Sequence, residues 1–180
     1  MKYLLASDIH GSYKYACALK NAVMKHKPDK ICLLGDYYYH GPRNPLPEQY
    51  DTMATAKVLN SLKDDIIAVR GNCDSDVDIE ISEFTINQHF CLPYNNGRTI
   101  YLTHGDHYNE HNLPPLKSGD ILCCGHFHLP YIKFIGTNTV INPGSISLSK
   151  NGTNTYAVID DEKVTFYDAD GNFFADEILK

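Results

Sequence analysis

Apolar and polar positions along this chain follow two regimes. In the first half, short apolar runs alternate with stretches of helical spacing. Residues 2–7 read as a buried strand. Tyr13, Ala16, Leu19 or Lys20, and Val23 then recur every three to four positions and predict a helix over 12–25. Residues 30–34 form a second apolar run, Thr55, Val58, Leu59 and Leu62 mark a second helix, and 66–69 read as a third strand. Strand, helix, strand, helix, strand predicts a parallel sheet with crossover helices. The second half is a succession of β-rich runs at 88–92, 99–103, 121–124, 131–135, 139–141, 155–159, 163–167 and 173–178. Turn signals separate them, notably Asn95-Asn96-Gly97, Asn142-Pro143-Gly144, Asn151-Gly152 and Ala169-Asp170-Gly171. No linker or repeat divides the chain. One domain over residues 1–180, with two sheets and helices outside, accounts for both halves.

Composition narrows the function classes. At 180 residues and 43% apolar content the chain can bury an ordinary core, and a charged fraction of 21% argues against disorder. The net charge is −6 and no basic run occurs, which disfavours nucleic-acid polymers, whose binding needs a basic surface. The six cysteines (17, 32, 73, 91, 123 and 124) mostly sit among apolar residues without a CxxC pair, so buried free thiols are expected. The apolar run at 3–6 is too short for a signal peptide, and no stretch could span a membrane. A cytoplasmic location and no membrane partner are the expectation.

The residues at the strand ends change the picture. Asp8-Ile9-His10-Gly11 comes after the first strand, Gly35-Asp36 after the second and Gly71-Asn72-Cys73-Asp74 after the third. His104-Gly105 comes after 99–103, and Gly125-His126-Phe127-His128 after 121–124. Ligands of open α/β sheets bind beyond the carboxyl ends of strands, so these fragments should converge. Each is weak alone; a Gly-Asp after a strand is usually a turn. Together they supply two Asp, one Asn and four His, a donor mix suited to divalent ions such as Mn²⁺, Fe²⁺, Ni²⁺ or Zn²⁺. Seven donors exceed one structural zinc and suit two ions that share a carboxylate and clamp a phosphoryl group. Two divalent ions, two carboxylates and one hydroxide leave about +1, enough to attract a phosphate to an acidic protein.

The ordered pattern D-x-H, G-D, G-N-[H/C]-[D/E], H, G-H-x-H resembles the calcineurin-like metallophosphoesterase superfamily. The match is closer to its YfcE-type small bacterial phosphodiesterases. They share the opening Ala6-Ser7-Asp8-Ile9-His10-Gly11-Ser12, His40-Gly41-Pro42-Arg43-Asn44, Ala68-Val69-Arg70-Gly71-Asn72-Cys73-Asp74-Ser75 and Asn142-Pro143-Gly144-Ser145. The resemblance implies an α/β (α+β) fold, a four-layer αββα sandwich of two mixed β-sheets flanked by helices. It implies a phosphoric diester hydrolase with two divalent metal ions, Mn first and Ni, Zn, Fe or Mg as alternatives. Asp8, His10 and His128 would hold one ion, Asn72, His104 and His126 the other, and Asp36 both. A hydroxide held at Asp36 would attack a phosphate oriented by Asn72.

Two positions depart from the family pattern. Cys73 stands where many relatives carry His. A thiol is a poorer proton partner than imidazole near pH 7, so diesters with good leaving groups are the expected substrates. Asp106 replaces a His and is expected either just behind the ligands or in solvent rather than as a ligand, and His107 and His111 are expected at the surface of a polar loop. His40 and Arg43, in the long loop after Asp36, are candidate substrate contacts; the bland alternative is a loop merely stiffened by Pro42, Pro45 and Pro47. Asn142-Pro143-Gly144-Ser145 reads as a structural turn near the metals, and His26 and His89 as non-functional. The alternatives are a phosphomonoesterase or protein phosphatase, and a non-catalytic interaction scaffold of the same fold. The physiological substrate and a homo-oligomeric state are left open.

Overall fold

The computed structural model describes residues 1–161 and 163–179; positions 162 and 180 of the expected span lie outside it. Four strands of the first half, β1 (Lys2–Ala6), β2 (Lys30–Leu33), β3 (Ile66–Val69) and β4 (Ile86–Asn87), pair in parallel. They are connected through α1 (Tyr13–His26), α2 (Thr52–Asn60) and α3 (Asp76–Ile81). The second sheet is built from β5 (Phe90–Pro93), β6 (Thr99–Leu102), β7 (Ile121–Cys123), β8 (Pro130–Ile135) and β9 (Asn138–Pro143). The chain then returns to the first sheet with β10 (Thr155–Asp160), β11 (Lys163–Asp168) and β12 (Phe173–Ile178). The strand orders are β12-β11-β10-β1-β2-β3-β4 and β5-β6-β7-β9-β8, both mixed.

Side-chain alternation explains why β1 reads as a continuous apolar run. Tyr3 and Leu5 face the second sheet and share a core with Cys32, Ile100, Leu102 and Ile121. Leu4 and Ala6 point the other way, onto Ala16, Leu19 and Leu59 of the helices. A strand covered on both faces needs no polar positions. Helix α1 starts where Ser12 caps it, its Oγ accepting from the Tyr15 N–H at 3.4 Å. It ends where Lys27 turns left-handed, with φ 48°. Its buried face is Ala16, Leu19 and Ala22, while the expected Tyr13 is 40% exposed. The predicted strand at 88–92 starts later, at Phe90, as β5, and the two-residue β4 before it lies in the other sheet. Ile86 belongs with the helix-side core and Phe90 and Leu92 with the inter-sheet core, so the chain changes sheets at 88–89.

Helices cover the outer face of the seven-stranded sheet. The outer face of the five-stranded sheet, Leu122, Cys124 and Val140, is covered by Leu113, Leu116 and Tyr131 instead. The 103–120 segment that supplies much of this cover contains no helix. No helix among the described residues is long and apolar enough to cross a membrane. The five strands preceding the seven donor positions, β1, β2, β3, β6 and β7, all end on one edge of the molecule, where the two sheets meet.

Candidate metal centre

The donors come together as two triads. His10 Nδ1 lies 2.8 Å from the Tyr39 carbonyl, His104 Nδ1 2.7 Å from that of Leu34, and His128 Nδ1 2.6 Å from that of Leu148. A carbonyl only accepts, so each Nδ1 carries the proton and each Nε2 turns a lone pair inward. In the first triad, His10 Nε2 and His128 Nε2 are 3.2 Å apart, and Asp8 Oδ1 lies 3.7 and 3.3 Å from them. In the second, Asn72 Oδ1 lies 2.9 Å from His104 Nε2 and 2.8 Å from His126 Nδ1. Asp36 Oδ2 faces both triads, 3.7 Å from His10 Nε2 and 3.5 Å from His104 Nε2.

Lone pairs crowded this closely call for a cation. Donor atoms about 2.1 Å from one ion lie roughly 3.0–3.4 Å apart, and the separations here, 2.8–3.7 Å, bracket that spacing. Asp8 Oδ1 supplies an independent check: it is fully buried and has no aligned hydrogen-bond donor. A buried carboxylate oxygen without a partner is costly, and a metal ion satisfies it. The donor set therefore fits two divalent ions. Cys73 also approaches, grouping with His10 and Asp36, so a thiol stands closer to the centre than the sequence suggested.

The electrostatics agree. Burial would raise the Asp8 carboxyl, but the His128, His104 and His10 rings around it hold it well below the usual range. Burial lowers His10 and His126 below the ordinary imidazole value. In His104 the charges of Asp36 and Asp8 outweigh burial, and in His128 the Asp8 carboxylate does, so both are raised.

The backbone is bent for this purpose. Asp8, His10, Asp36, His126 and His128 all lie in the left-handed region, with φ of 57°, 51°, 58°, 67° and 59°. For non-glycine residues this costs about 1 kcal/mol each, and such strain persists only where surrounding bonds impose it. Those bonds are present. Asp8, His10 and Gly11 donate their N–H groups to Gly35, Asp36 and Tyr37 carbonyls at 3.0, 2.9 and 2.8 Å, continuing the β1–β2 pairing past the strand ends. Ser145 and Ser147 hydroxyls donate to the Asp8 carbonyl at 2.8 and 2.9 Å, and Asn142 Nδ2 to the Gly125 carbonyl at 2.7 Å. The Asn142-Pro143-Gly144-Ser145 turn thus braces the donors.

Asp74 ties the Asp36 and Asn72 loops together. Its carboxylate accepts from the N–H groups of Asp36, Tyr37 and Gly71 at 2.9, 2.8 and 2.7 Å. Gly71 is required by this close approach: a Cβ there would lie 2.2 Å from Asp36 Oδ1 and 2.4 Å from Asp36 N. Gly71→Ala is expected to destabilise the protein by about 2 kcal/mol through overpacking, read as a lowered urea midpoint with unchanged slope. An unshifted midpoint would refute it.

A cleft of about 650 Å³ opens above the donors, with Asn72, Cys73, His126 and His128 on its floor and Tyr39, Arg43 and Lys150 on its walls. Arg43 lies on this wall. His40 stands behind it, its ring edge-on to Tyr39 at 4.9 Å and to Tyr50 at 5.4 Å. Asp106, His107 and His111 are exposed. Neither the role of Asp74 nor the presence of Lys150 in the cleft was anticipated; Lys150 stands at no donor-bearing strand end and belongs to none of the family motifs.

Residues 1–163 match the calcineurin-like phosphoesterase superfamily domain. The chain belongs to that superfamily. It is 38% identical over 163 residues to the phosphodiesterase YfcE of Escherichia coli strain K12, covering 90% of this chain and 89% of the relative. The solved structure of YfcE, a phosphoesterase from E. coli, superposes with a TM-score of 0.95 at 34% identity and covers 100% of both chains. A probable metallophosphoesterase of Bacillus subtilis, YsnB, is 30% identical, with 98% of this chain and 96% of the relative covered. Vacuolar protein sorting 29 of Cryptosporidium parvum shares the fold, with a TM-score of 0.61 at 18% identity over 92% of this chain and 89% of that one. Two mixed sheets with helices are the fold of this family, and divalent metal ions are its cofactors.

Proposed function

We propose that this protein is a single-domain hydrolase of small phosphodiesters, working at a centre of two divalent ions with Mn²⁺ as the first expectation. One observation carries the reading: Asp36 Oδ2 faces both donor triads, while Asp8 Oδ1 lies buried without a hydrogen-bond donor. Asp8, His10 and His128 would hold one ion, Asn72, His104 and His126 the other, and Asp36 would bridge them. The ions would supply a hydroxide at neutral pH and stabilise charge developing on the phosphoryl oxygens. The three carbonyl-anchored rings keep their lone pairs aimed without reorganising when substrate arrives. Asn72 Nδ2, which donates to Cys73 Sγ at 3.3 Å at the cleft floor, would turn from that weak acceptor to orient a phosphoryl oxygen; Arg43 on the wall adds positive charge, and His40 acts by supporting that wall.

The leaving group sets the bias toward diesters. Burial and the neighbouring Asp36 push the Cys73 thiol up to about 12, so it stays protonated and is a weak proton shuttle. Cys73→His is expected to raise hydrolysis of an aryl phosphomonoester about tenfold or more, because an imidazole there can assist a poor leaving group. No gain in kcat on the monoester would count against this role for the position.

The decisive experiment strips the protein with chelator and restores Mn²⁺, Ni²⁺, Zn²⁺ or Mg²⁺ singly. Turnover of bis(p-nitrophenyl) phosphate should return with Mn²⁺ and exceed that of p-nitrophenyl phosphate. Inactivity on both substrates with every ion would sink the hydrolase reading and favour a scaffold.

A further inference from the structure

We propose that Arg43 and Lys150 form a subsite for a second phosphate, so that the preferred substrate is a diester whose non-leaving arm carries its own phosphate group. The inference rests on the diesterase reading above and names its substrate class.

Both side chains line the cleft over the donor triads, Arg43 from the loop after Asp36 and Lys150 from the segment after β9. Neither forms an ion pair among the described residues, although seven other Lys and Arg side chains of this acidic protein do. Apart from Asp36, which the metal ions would occupy, no carboxylate lines the cleft among the described residues. Two cations left unpaired at one mouth are available to a ligand.

Each is also displayed on fixed backbone. Arg43 follows Pro42 and precedes Pro45 and Pro47, and Asn44 Nδ2 donates to the His40 carbonyl at 2.8 Å across the loop. The Lys150 N–H donates to the His128 carbonyl at 3.0 Å, two residues beyond the Leu148 carbonyl that orients the His128 ring. With the backbone fixed at both positions, binding has only side-chain freedom to lose there. The charges divide the work. The donor centre with two ions keeps about +1, matched to the single charge of a diester. The pair adds a separate +2, matched to a phosphate dianion and more than a diester with neutral arms can use.

The test uses p-nitrophenyl diesters with one leaving group and four other arms: ethyl, 2-carboxyethyl, 2-phosphoethyl and choline. In the Mn²⁺-loaded protein at low salt, kcat/KM for the phosphoethyl arm should exceed that for ethyl about 10²-fold, mostly through KM, with choline lowest. The ratio should shrink as salt rises. It should fall toward 1 in Arg43→Ala/Lys150→Ala and largely return when Lys150→Arg is paired with native Arg43. Because each ratio is taken within one preparation, a partly unfolded variant does not distort it. A wild-type ratio near 1, or one retained in the double variant, would overturn the subsite while leaving the hydrolase reading intact. An equal gain with the carboxyethyl arm would overturn the assignment to phosphate. Failure to cleave any of the four would overturn the hydrolase reading and this inference with it.

Discussion

Asp36→Asn is expected to lower kcat/KM on an aryl phosphodiester by about 10³-fold, equivalent to roughly 4 kcal/mol of transition-state stabilisation. It should also drop bound metal below two ions per chain. The geometry leaves the amide no good arrangement. Asp36 Oδ1 accepts from the Cys73 N–H at 2.9 Å, and Oδ2 faces His10 and His104. If the asparagine oxygen keeps the Cys73 bond, its NH₂ group points at two imidazole lone pairs and excludes the ions they would share. If the amide flips, its NH₂ meets the Cys73 N–H instead. The folded state should survive, because asparagine tolerates the left-handed backbone of this position well. Metal content by elemental analysis and a thermal melt in chelator separate the two effects. Full activity, or two retained ions, would remove Asp36 from its bridging role. A melt that collapses together with activity would instead make it a structural residue.

The chain announces this centre more clearly than it announces the frame that holds it. A strand ending in Asp-x-His or Gly-Asp can be read directly, because period-two burial marks the strand and the polar residue after it stands out. His104 and His126 were visible for that reason. Their supports were not. Leu34, Tyr39 and Leu148 orient the rings through backbone carbonyls, which any residue provides, so side-chain identity carries no trace of the role. The left-handed bends at five donors are likewise unwritten, since only glycine advertises such backbone and none of the five is glycine. Lys150 reaches the cleft through a segment whose placement depends on β9 and β10 lying in different sheets. Local periodicity cannot show that switch, nor the one between Asn87 and Phe90 that delays the start of a predicted strand. The five-stranded sheet lacks a helix over it because 103–120, rich in Asn, Pro and Gly, covers it with Leu113 and Leu116 alone along that stretch.

Asp74→Asn is expected to cost stability in a way that depends on both pH and metal, and to lower kcat/KM about 10²-fold with metal bound. Two opposed effects are of similar size. Asparagine cannot accept from all three N–H groups that Asp74 satisfies, and one buried donor left unpaired costs about 2 kcal/mol. Against that, burial and the Asp36 charge push the Asp74 carboxyl up to about 6 in the metal-free protein. The unfolded value is near 3.9, so the native state holds its proton more tightly. Stability from this group is then fully present below about pH 4 and is lost as pH rises through 6, a loss on the order of 2–3 kcal/mol. The variant has no such loss. In chelator, the cost of Asp74→Asn should therefore be about 2 kcal/mol near pH 4 and shrink toward zero at pH 7. With divalent ions bound at pH 7, the Asp36 charge is neutralised, its share of the upward push on Asp74 relaxes while that of burial stays, and part of the cost of about 2 kcal/mol should reappear. Urea titrations at pH 4.5 and 7 in chelator, and at pH 7 with Mn²⁺, measure all three. A cost that is equal in the two chelated samples would show that Asp74 is not frustrated by Asp36. The expected pattern would make Asp74 a residue whose ionised form the metal-free fold tolerates poorly and the metal-loaded site requires.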